Sequence, residues 1–130
     1  MLNQSGIQRT PVTAPAQILF NTQHQVSVGI KLAKNFTGAV TEHGRKIVKA
    51  GTPLNGDLTA RGTAFVAAQD SSNPAVGVLL HDVDVTDTEA NATLLIWGFV
   101  NLSRVDTTTA ALITETRKTE LTGRIWFLKD

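Results

Sequence analysis

The 130-residue sequence predicts one mainly β domain, a small barrel or sandwich with one short C-terminal α-helix and an extended N-terminal arm. Three observations support this prediction. Apolar residues alternate along several short stretches, which is the pattern of β-strands. After Leu102 the apolar spacing changes to that of a helix. The first 30 residues contain only one Lys, Arg, Asp or Glu, namely Arg9. We place the arm at residues 1–24 and the domain at residues 25–130.

The longest β pattern runs from Ala75 to Leu102 and predicts a hairpin with a polar turn at residues 86–91. Alternate side chains of a strand point to opposite faces. The second strand then has two apolar faces, with Leu94, Ile96 and Val100 on one and Leu95, Trp97 and Phe99 on the other. A small domain has little material with which to cover both faces. We therefore expect part of this surface to contact other copies of the chain.

The first strand of this hairpin changes its pattern near His81. Apolar residues keep one phase up to Leu80, and Asp82 and Asp84 then occupy that phase. Such a shift predicts that the strand bends or bulges near His81, or that it leaves the core there.

Two further strand signals precede the hairpin. Residues 25–33 alternate strictly, with Val26 and Ile30 on the apolar face, which predicts a one-sided strand. Residues 42–45, with the sequence EHGR, predict a hairpin tip that leads into a strand at residues 46–49.

The predicted helix begins at Asp106 or Thr107, either of which can cap it, and Gly123 is a natural stop. Residues 125–128 then form a closing strand that again has two apolar faces. Tryptophan is favoured at protein interfaces for its large area and its N–H group, although a place in the core is an equally good interpretation of each ring alone. The residues that we expect at an interface between copies are Leu95, Trp97, Phe99, Trp126 and Leu128.

The N-terminal arm is predicted to lie along another protein. An uncharged segment that contains prolines favours an extended path, and an extended path allows main-chain hydrogen bonds to a partner. A short apolar run inside the arm indicates that part of it docks. The alternative is a terminus without a role. The residues expected to make the contact are Arg9, Pro11, Pro15, Ile18, Leu19 and Phe20.

The composition argues against several classes of function. A formal net charge of +1 gives no reason to expect a nucleic-acid partner or a membrane surface. We expect neither a signal peptide nor a transmembrane helix, because no apolar stretch is long enough for a span. Only 18% of the residues are charged, below the usual quarter, which suggests that some of the surface does not face bulk water.

Sites for catalysis or metals are not evident either. Cysteine is absent, which excludes disulfides, thiolate metal sites and cysteine nucleophiles. The acidic run that starts at Asp82 does not fit a calcium loop, because its sixth and twelfth positions are Asp87 and Thr93 instead of Gly and Glu. The three histidines lack the spacing of metal ligands. We therefore expect no enzymatic activity, no metal and no cofactor.

Several segments resemble the lambda-type head decoration proteins of tailed bacteriophages. A late helix and a closing apolar strand follow in the same order, so the resemblance covers roughly residues 45–128. The similar segments are KAGTPL at 49–54, AVGVLL at 75–80, DVD at 82–84, AT at 92–93 and GFV at 98–100.

The resemblance implies a β-clip-like homotrimer without catalytic activity. In this family, trimers sit on the outer capsid face where major capsid protein subunits of neighbouring capsomers meet, and the N-terminal segment adds to the shell surface. The protein would be part of the virion, after synthesis in the host cytoplasm. It would stabilise the shell by binding its assembled form, and a trimer would multiply weak single contacts.

Two other functions fit the same sequence. A different phage structural part, such as a head-fibre base or a tail protein, shares the β-rich oligomeric design. A small ligand-binding β module, for example for sugars, predicts a monomer of 13.9 kDa with a pocket.

Overall fold

The computed structural model describes residues 17–69 and 72–129. Most of the regular structure in these residues is β, with two short α-helices near the end, so the predicted mainly β class is confirmed. A 3-10 helix at Leu102–Arg104 precedes the α-helices. The strands and helices are β1 Val26–Leu32, β2 Val40–Glu42, β3 Arg45–Val48, β4 Pro53–Asn55, β5 Val66–Ala67, β6 Gly77–Leu79, β7 Val83–Asp84, β8 Ala90–Asn101, α1 Thr107–Ala110, α2 Glu115–Glu120 and β9 Ile125–Leu128.

The 12-residue strand β8 is the one on which the main sheet is built. The sheet has the order β1-β8-β6-β4-β5, and β9 pairs with the far end of β8 in parallel. β6 and β8 pair antiparallel with Val78 opposite Leu95, so the predicted hairpin pairing is confirmed. A second sheet has the order β2-β3-β7.

Between β6 and β8 the chain leaves the main sheet. β7 pairs with β3 of the second sheet, with Val83 opposite Val48. The backbone N–H of Val85 donates to the carbonyl of Lys46 at 2.9 Å and extends this pairing. The change of phase near His81 therefore marks the point where the chain moves from one sheet to the other.

The other two strand signals are also confirmed. β1 pairs with β8 along its whole length. The tip between β2 and β3 consists of His43 and Gly44, whose φ angles are 51° and 77°. Positive φ at both central residues is what a two-residue type I′ hairpin turn requires.

The helical segment differs from the prediction. Instead of one helix, α1 and α2 are separated by residues 111–114. Thr114 starts the second helix, because its hydroxyl accepts a hydrogen bond from the backbone N–H of Arg117 at 3.3 Å. Ile113 lies in this interruption and is buried, with only 6% of its surface exposed.

Two apolar cores lie on opposite faces of the main sheet. We call them the first core and the second core. The first core contains Ile18, Leu19, Ala50, Ala75, Val78, Leu80, Leu95, Val100, Val105, Leu121 and Ile125. The second core contains Ile30, Leu32, Phe36, Val48, Leu54, Phe65, Leu79, Val85 and Leu94.

The placement of Leu95 corrects one prediction. Leu94 and Leu95 are neighbours on β8, and each is fully buried in a different core. The chain itself therefore covers both faces of the strand at this point. Leu95 was expected at an interface between copies, and that expectation is wrong because the side chain has no exposed surface.

The segment before β1 corrects a second prediction, which concerns the N-terminal arm. Ile18 and Leu19 were expected to contact another protein, but both are buried in the first core. The carbonyl of Ile18 accepts a hydrogen bond from the N–H of Asn101 at 2.7 Å, and the N–H of Phe20 donates to the carbonyl of Phe99 at 2.8 Å. Residues 18–20 thus lie along β8 as a short extra strand, and the side chains of Ile18 and Leu19 are covered by this chain.

Candidate interaction surface at the end of the main sheet

Six apolar side chains share one uncovered face at the far end of β8. We call this surface the aromatic face. Residues directly opposite in paired strands point to the same side of a sheet. By this rule Val26 accompanies Trp97, and Trp126 accompanies Phe99. The members are Phe20 (51% exposed), Val26 (50%), Trp97 (36%), Trp126 (39%), Leu128 (39%) and the half-buried Phe99.

A β-bulge in β8 creates this face. Ser27 of β1 lies opposite Leu95, and Val26 lies opposite Trp97, so Ile96 is an extra residue in β8. An extra residue shifts the alternation by one and turns the following side chains to the other side of the sheet. This is why Leu95 and Val100 both enter the first core although they are five positions apart. Strict alternation wrongly grouped Leu95 with Trp97.

Gly98 lies at a crowded position close to the bulge. Its φ is 155°. A Cβ at this position would lie 3.3 Å from both the Cβ of Gln25 and the Cδ1 of Leu95, tighter than ordinary van der Waals contact. The small residue lets β8 pass close to the chain before β1 while Trp97 and Phe99 on either side of it turn outward.

Three rings of the aromatic face contact one another. The centroid of Trp126 lies 5.1 Å from that of Phe99 in a stacked arrangement and 5.6 Å from that of Trp97 in an edge-on arrangement. Trp97 and Phe99 are 5.8 Å apart, also edge-on. Such contacts hold each ring in place without covering its outer side. The result is a preformed apolar surface, which loses little side-chain freedom when a partner binds.

The aromatic face carries no charged side chain. The nearest basic residues along β9 are Arg124 and Lys129, which flank it. The guanidinium of Arg124 is turned toward the carbonyls of Val76 and Glu120. The surface is therefore neutral and suits an apolar partner.

The acidic residues after β6 have a structural role. Nε and Nη2 of Arg45 contact Asp84 at 2.8 Å and Asp87 at 2.7 Å. The hydrogen bond from Arg45 lowers the pKa of Asp84 to about 2. Lys49 contacts Glu42 at 2.7 Å, and this hydrogen bond raises the pKa of the lysine.

Residues 17–69 and 72–129 contain no cluster of three His, Cys, Asp or Glu side chains placed to hold a metal ion. Within the same ranges, no helix is long and apolar enough to cross a membrane.

Two open hollows lie on another part of the surface. Their volumes are about 460 and 450 Å³, and Thr37, Ala67 and Gln69 line both. Arg117 lines one of them, but its guanidinium already contacts Glu120 at 3.3 Å. Neither hollow brings together an acid, a base and a nucleophile among its lining residues.

The structure therefore brings together four of the five expected interface residues, Trp97, Phe99, Trp126 and Leu128. Of the expected arm contacts, Phe20 is exposed beside these four. The expected contacts of Arg9, Pro11 and Pro15 lie outside the described residues.

Val26 belongs to the aromatic face, although the alternation of residues 25–33 predicts that it faces the core with Ile30. It keeps the same alternation as Ile30, and only its position beyond the second core leaves it uncovered. No sequence signal marks this difference, because it depends on where the covering sheet ends.

No protein-family model matches the chain, and no curated protein matches it either.

Proposed function

We propose that this protein is a capsid decoration, or cement, protein that binds the outer surface of a phage head as a homotrimer. It contacts the major capsid protein and stabilises the shell without catalysing a reaction. The observation that supports this function best is the aromatic face. It is formed in part by Trp97 and Phe99 of β8, the strand to which two of the segments with a decoration-protein resemblance belong.

The amount of exposed apolar surface supports self-association. Single exposed apolar residues are normal, but a contiguous apolar patch on a soluble protein marks an interaction site. Trp and Phe are enriched in interfaces, and both tryptophans of the chain lie in this patch. Three copies that share this surface would remove the rings from water.

The stabilising mechanism is thermodynamic. A ligand that binds the assembled shell but not its separated subunits shifts the equilibrium toward the shell. A trimer makes several such contacts at once, which raises the overall affinity without new contact chemistry. The N-terminal arm, which includes Arg9, adds a contact to the shell, and the protein is then a component of the virion.

Co-sedimentation with expanded procapsids tests this function. We expect the folded protein to be retained on the particles and Trp126→Ser to lose most of this retention. Leu58→Ser is the matched control, because Leu58 is 37% exposed in the turn between β4 and β5 and is not part of the aromatic face. No retention of the folded wild-type protein contradicts the proposal.

A small ligand-binding β module is the second candidate. The two hollows favour it, because volumes near 450 Å³ lie within the range of small-molecule sites. It predicts a monomer of 13.9 kDa whose aromatic face stays exposed. A mass measurement in solution separates it from both the decoration protein and the other phage structural parts, and the position of the protein on the particle separates those two.

A further inference from the structure

The outer edge of β9 pairs with no other strand of the described residues. The N–H of Gly98 in β8 donates to the carbonyl of Arg124 at 2.9 Å, and the N–H of Ile125 donates to Leu121 at 3.0 Å, away from β8. Backbone groups of alternate residues point to the same side of a strand. The N–H and C=O of Phe127 therefore point away from β8, and no group in the described part of the chain bonds to them.

The opposite edge at this end of the sheet is blocked. Residues 18–20 form that edge, and the N–H of Leu19 points outward. It donates to the side-chain oxygen Oε1 of Gln17 at 2.9 Å, so it is not free to pair with another chain. Protected edges are common because open ones invite pairing. Among the described residues, no partner protects the outward N–H and C=O of Phe127 in this way, which favours β9 as a place where a strand is added.

Residues 10–16, with the sequence TPVTAPA, have the pattern of a strand that can pair on one side only. Proline has no N–H, and in a sheet it is tolerated where that position faces away from a partner. Pro11 and Pro15 are four residues apart, so both remove donors from the same edge. The other edge keeps the N–H groups of Val12, Ala14 and Ala16. Such a segment can pair with β9 and at the same time end the sheet.

We propose that residues 10–16 of a second copy add to the outer edge of β9. The same chain cannot place Ala16, the last residue of this segment, beside β9. A strand beyond β9 would lie three strand spacings, about 14 Å, from residues 18–20. Residue 16 is two residues from Ile18, and two residues span about 7 Å at full extension. A pairing that extends over all of residues 10–16 therefore requires the segment of a neighbour.

This contact joins two different surfaces, the arm of one copy and β9 of the next. A head-to-tail contact of this kind closes into a ring when the rotation allows it, and a ring of three agrees with the proposed trimer. The inference rests on the self-association proposed above. It assigns Pro11 and Pro15 to the contact between copies and leaves Arg9 and the residues before it for the shell.

Two proline substitutions in the arm test this pairing. Val12→Pro removes an N–H from the pairing edge, whereas Thr13→Pro adds a proline to the edge that already lacks donors. We expect the wild-type protein and Thr13→Pro to keep the oligomer mass. At the same concentration Val12→Pro should fall to 13.9 kDa. The amide of Phe127 should exchange about tenfold faster in Val12→Pro than in Thr13→Pro, because it loses its partner.

The other outcomes separate the two proposals. An oligomer that is unchanged in Val12→Pro, or weakened equally by both substitutions, overturns the strand addition and leaves self-association through the aromatic face intact. A wild-type protein that is monomeric at every concentration overturns both. Co-sedimentation of the same three proteins with procapsids then reports shell binding independently of the strand addition.

Discussion

The two ends of β8 have similar apolar sequences but different surroundings. At the near end, Leu94 and Leu95 enter the second and first cores, and both faces of the strand are covered. At the far end, Val100 enters the first core, whereas Trp97 and Phe99 face outward and contact each other and Trp126. A strand with two apolar faces must be buried on both sides. The second core buries its face of β8 only at the near end.

The difference follows from the extent of the second core. Side chains from the second sheet, such as Val48, and Phe65 from the segment before β5 cover β8 as far as Ile96, which packs partly against that core. The bulge at this position then turns Trp97 outward, past the edge of the cover. The uncovered apolar surface is therefore local, and variants at the two ends should have different effects.

The largest expected effect is a loss of stability in Leu95→Ala. The side chain is fully buried, so its truncation removes core contacts and leaves a cavity. We expect the free energy of unfolding to fall by about 2–5 kcal/mol. Denaturant unfolding measures this value. A change below about 0.5 kcal/mol, the usual size for a surface substitution, would mean that Leu95 is not in the core.

Ile18→Ala and Phe20→Ala compare a buried and an exposed residue of the short N-terminal strand. Ile18 is 1% exposed and Phe20 is 51% exposed. We expect Ile18→Ala to lower the free energy of unfolding by about 2 kcal/mol, the low end of the range for buried Ile, because the start of the chain can relax. Phe20→Ala should have a smaller effect on unfolding at low protein concentration. Equal losses from both variants would contradict the placement of Ile18 in the first core.

Trp126→Ala should affect association more than folding. The variant loses two ring contacts, which are worth about 1 kcal/mol each. Because Trp126 is the ring that β9 contributes and it contacts both rings of β8, we expect the variant to dissociate at concentrations where the wild-type protein is oligomeric. Sedimentation equilibrium at several concentrations measures this difference. An unchanged association constant in a folded Trp126→Ala protein would remove the aromatic face from the interface.

The smallest expected effect concerns acid stability. The pKa of Asp84 is lowered to about 2 in the folded protein by Arg45, below the ordinary value of about 3.9. A lowered pKa stabilises the fold above the ordinary value, and this contribution is lost as the pH falls through about 2. We expect Asp84→Asn to flatten the fall of the melting temperature between about pH 4 and pH 2. The effect is small because the pair is exposed, and an identical pH profile in both proteins would show that the pair contributes nothing.

Much of the fold could be predicted from local patterns. Alternation located β1 and the pairing of β6 with β8, and the EHGR tip located the β2–β3 hairpin. These features depend on neighbouring residues, whose preferences are visible in the sequence.

The errors concern features that depend on distant partners. The bulge at Ile96 is defined by the register with β1, so strict alternation could not separate Leu95 from Trp97. The apolar residues Ile18 and Leu19 were correctly expected to dock, but the sequence could not show that β8 of the same chain receives them. The break between α1 and α2 contains the buried Ile113, whose surroundings a helical spacing pattern does not show.

The most direct test uses the tryptophans themselves. The chain has only two, Trp97 and Trp126, and both lie on the aromatic face, so their fluorescence reports on this surface alone. We predict that raising the protein concentration shifts the tryptophan emission to the blue and reduces its quenching by acrylamide. Both changes should accompany a rise in mass to three times 13.9 kDa. A folded protein that remains at 13.9 kDa, and whose quenching by acrylamide is the same at every concentration, would contradict the account.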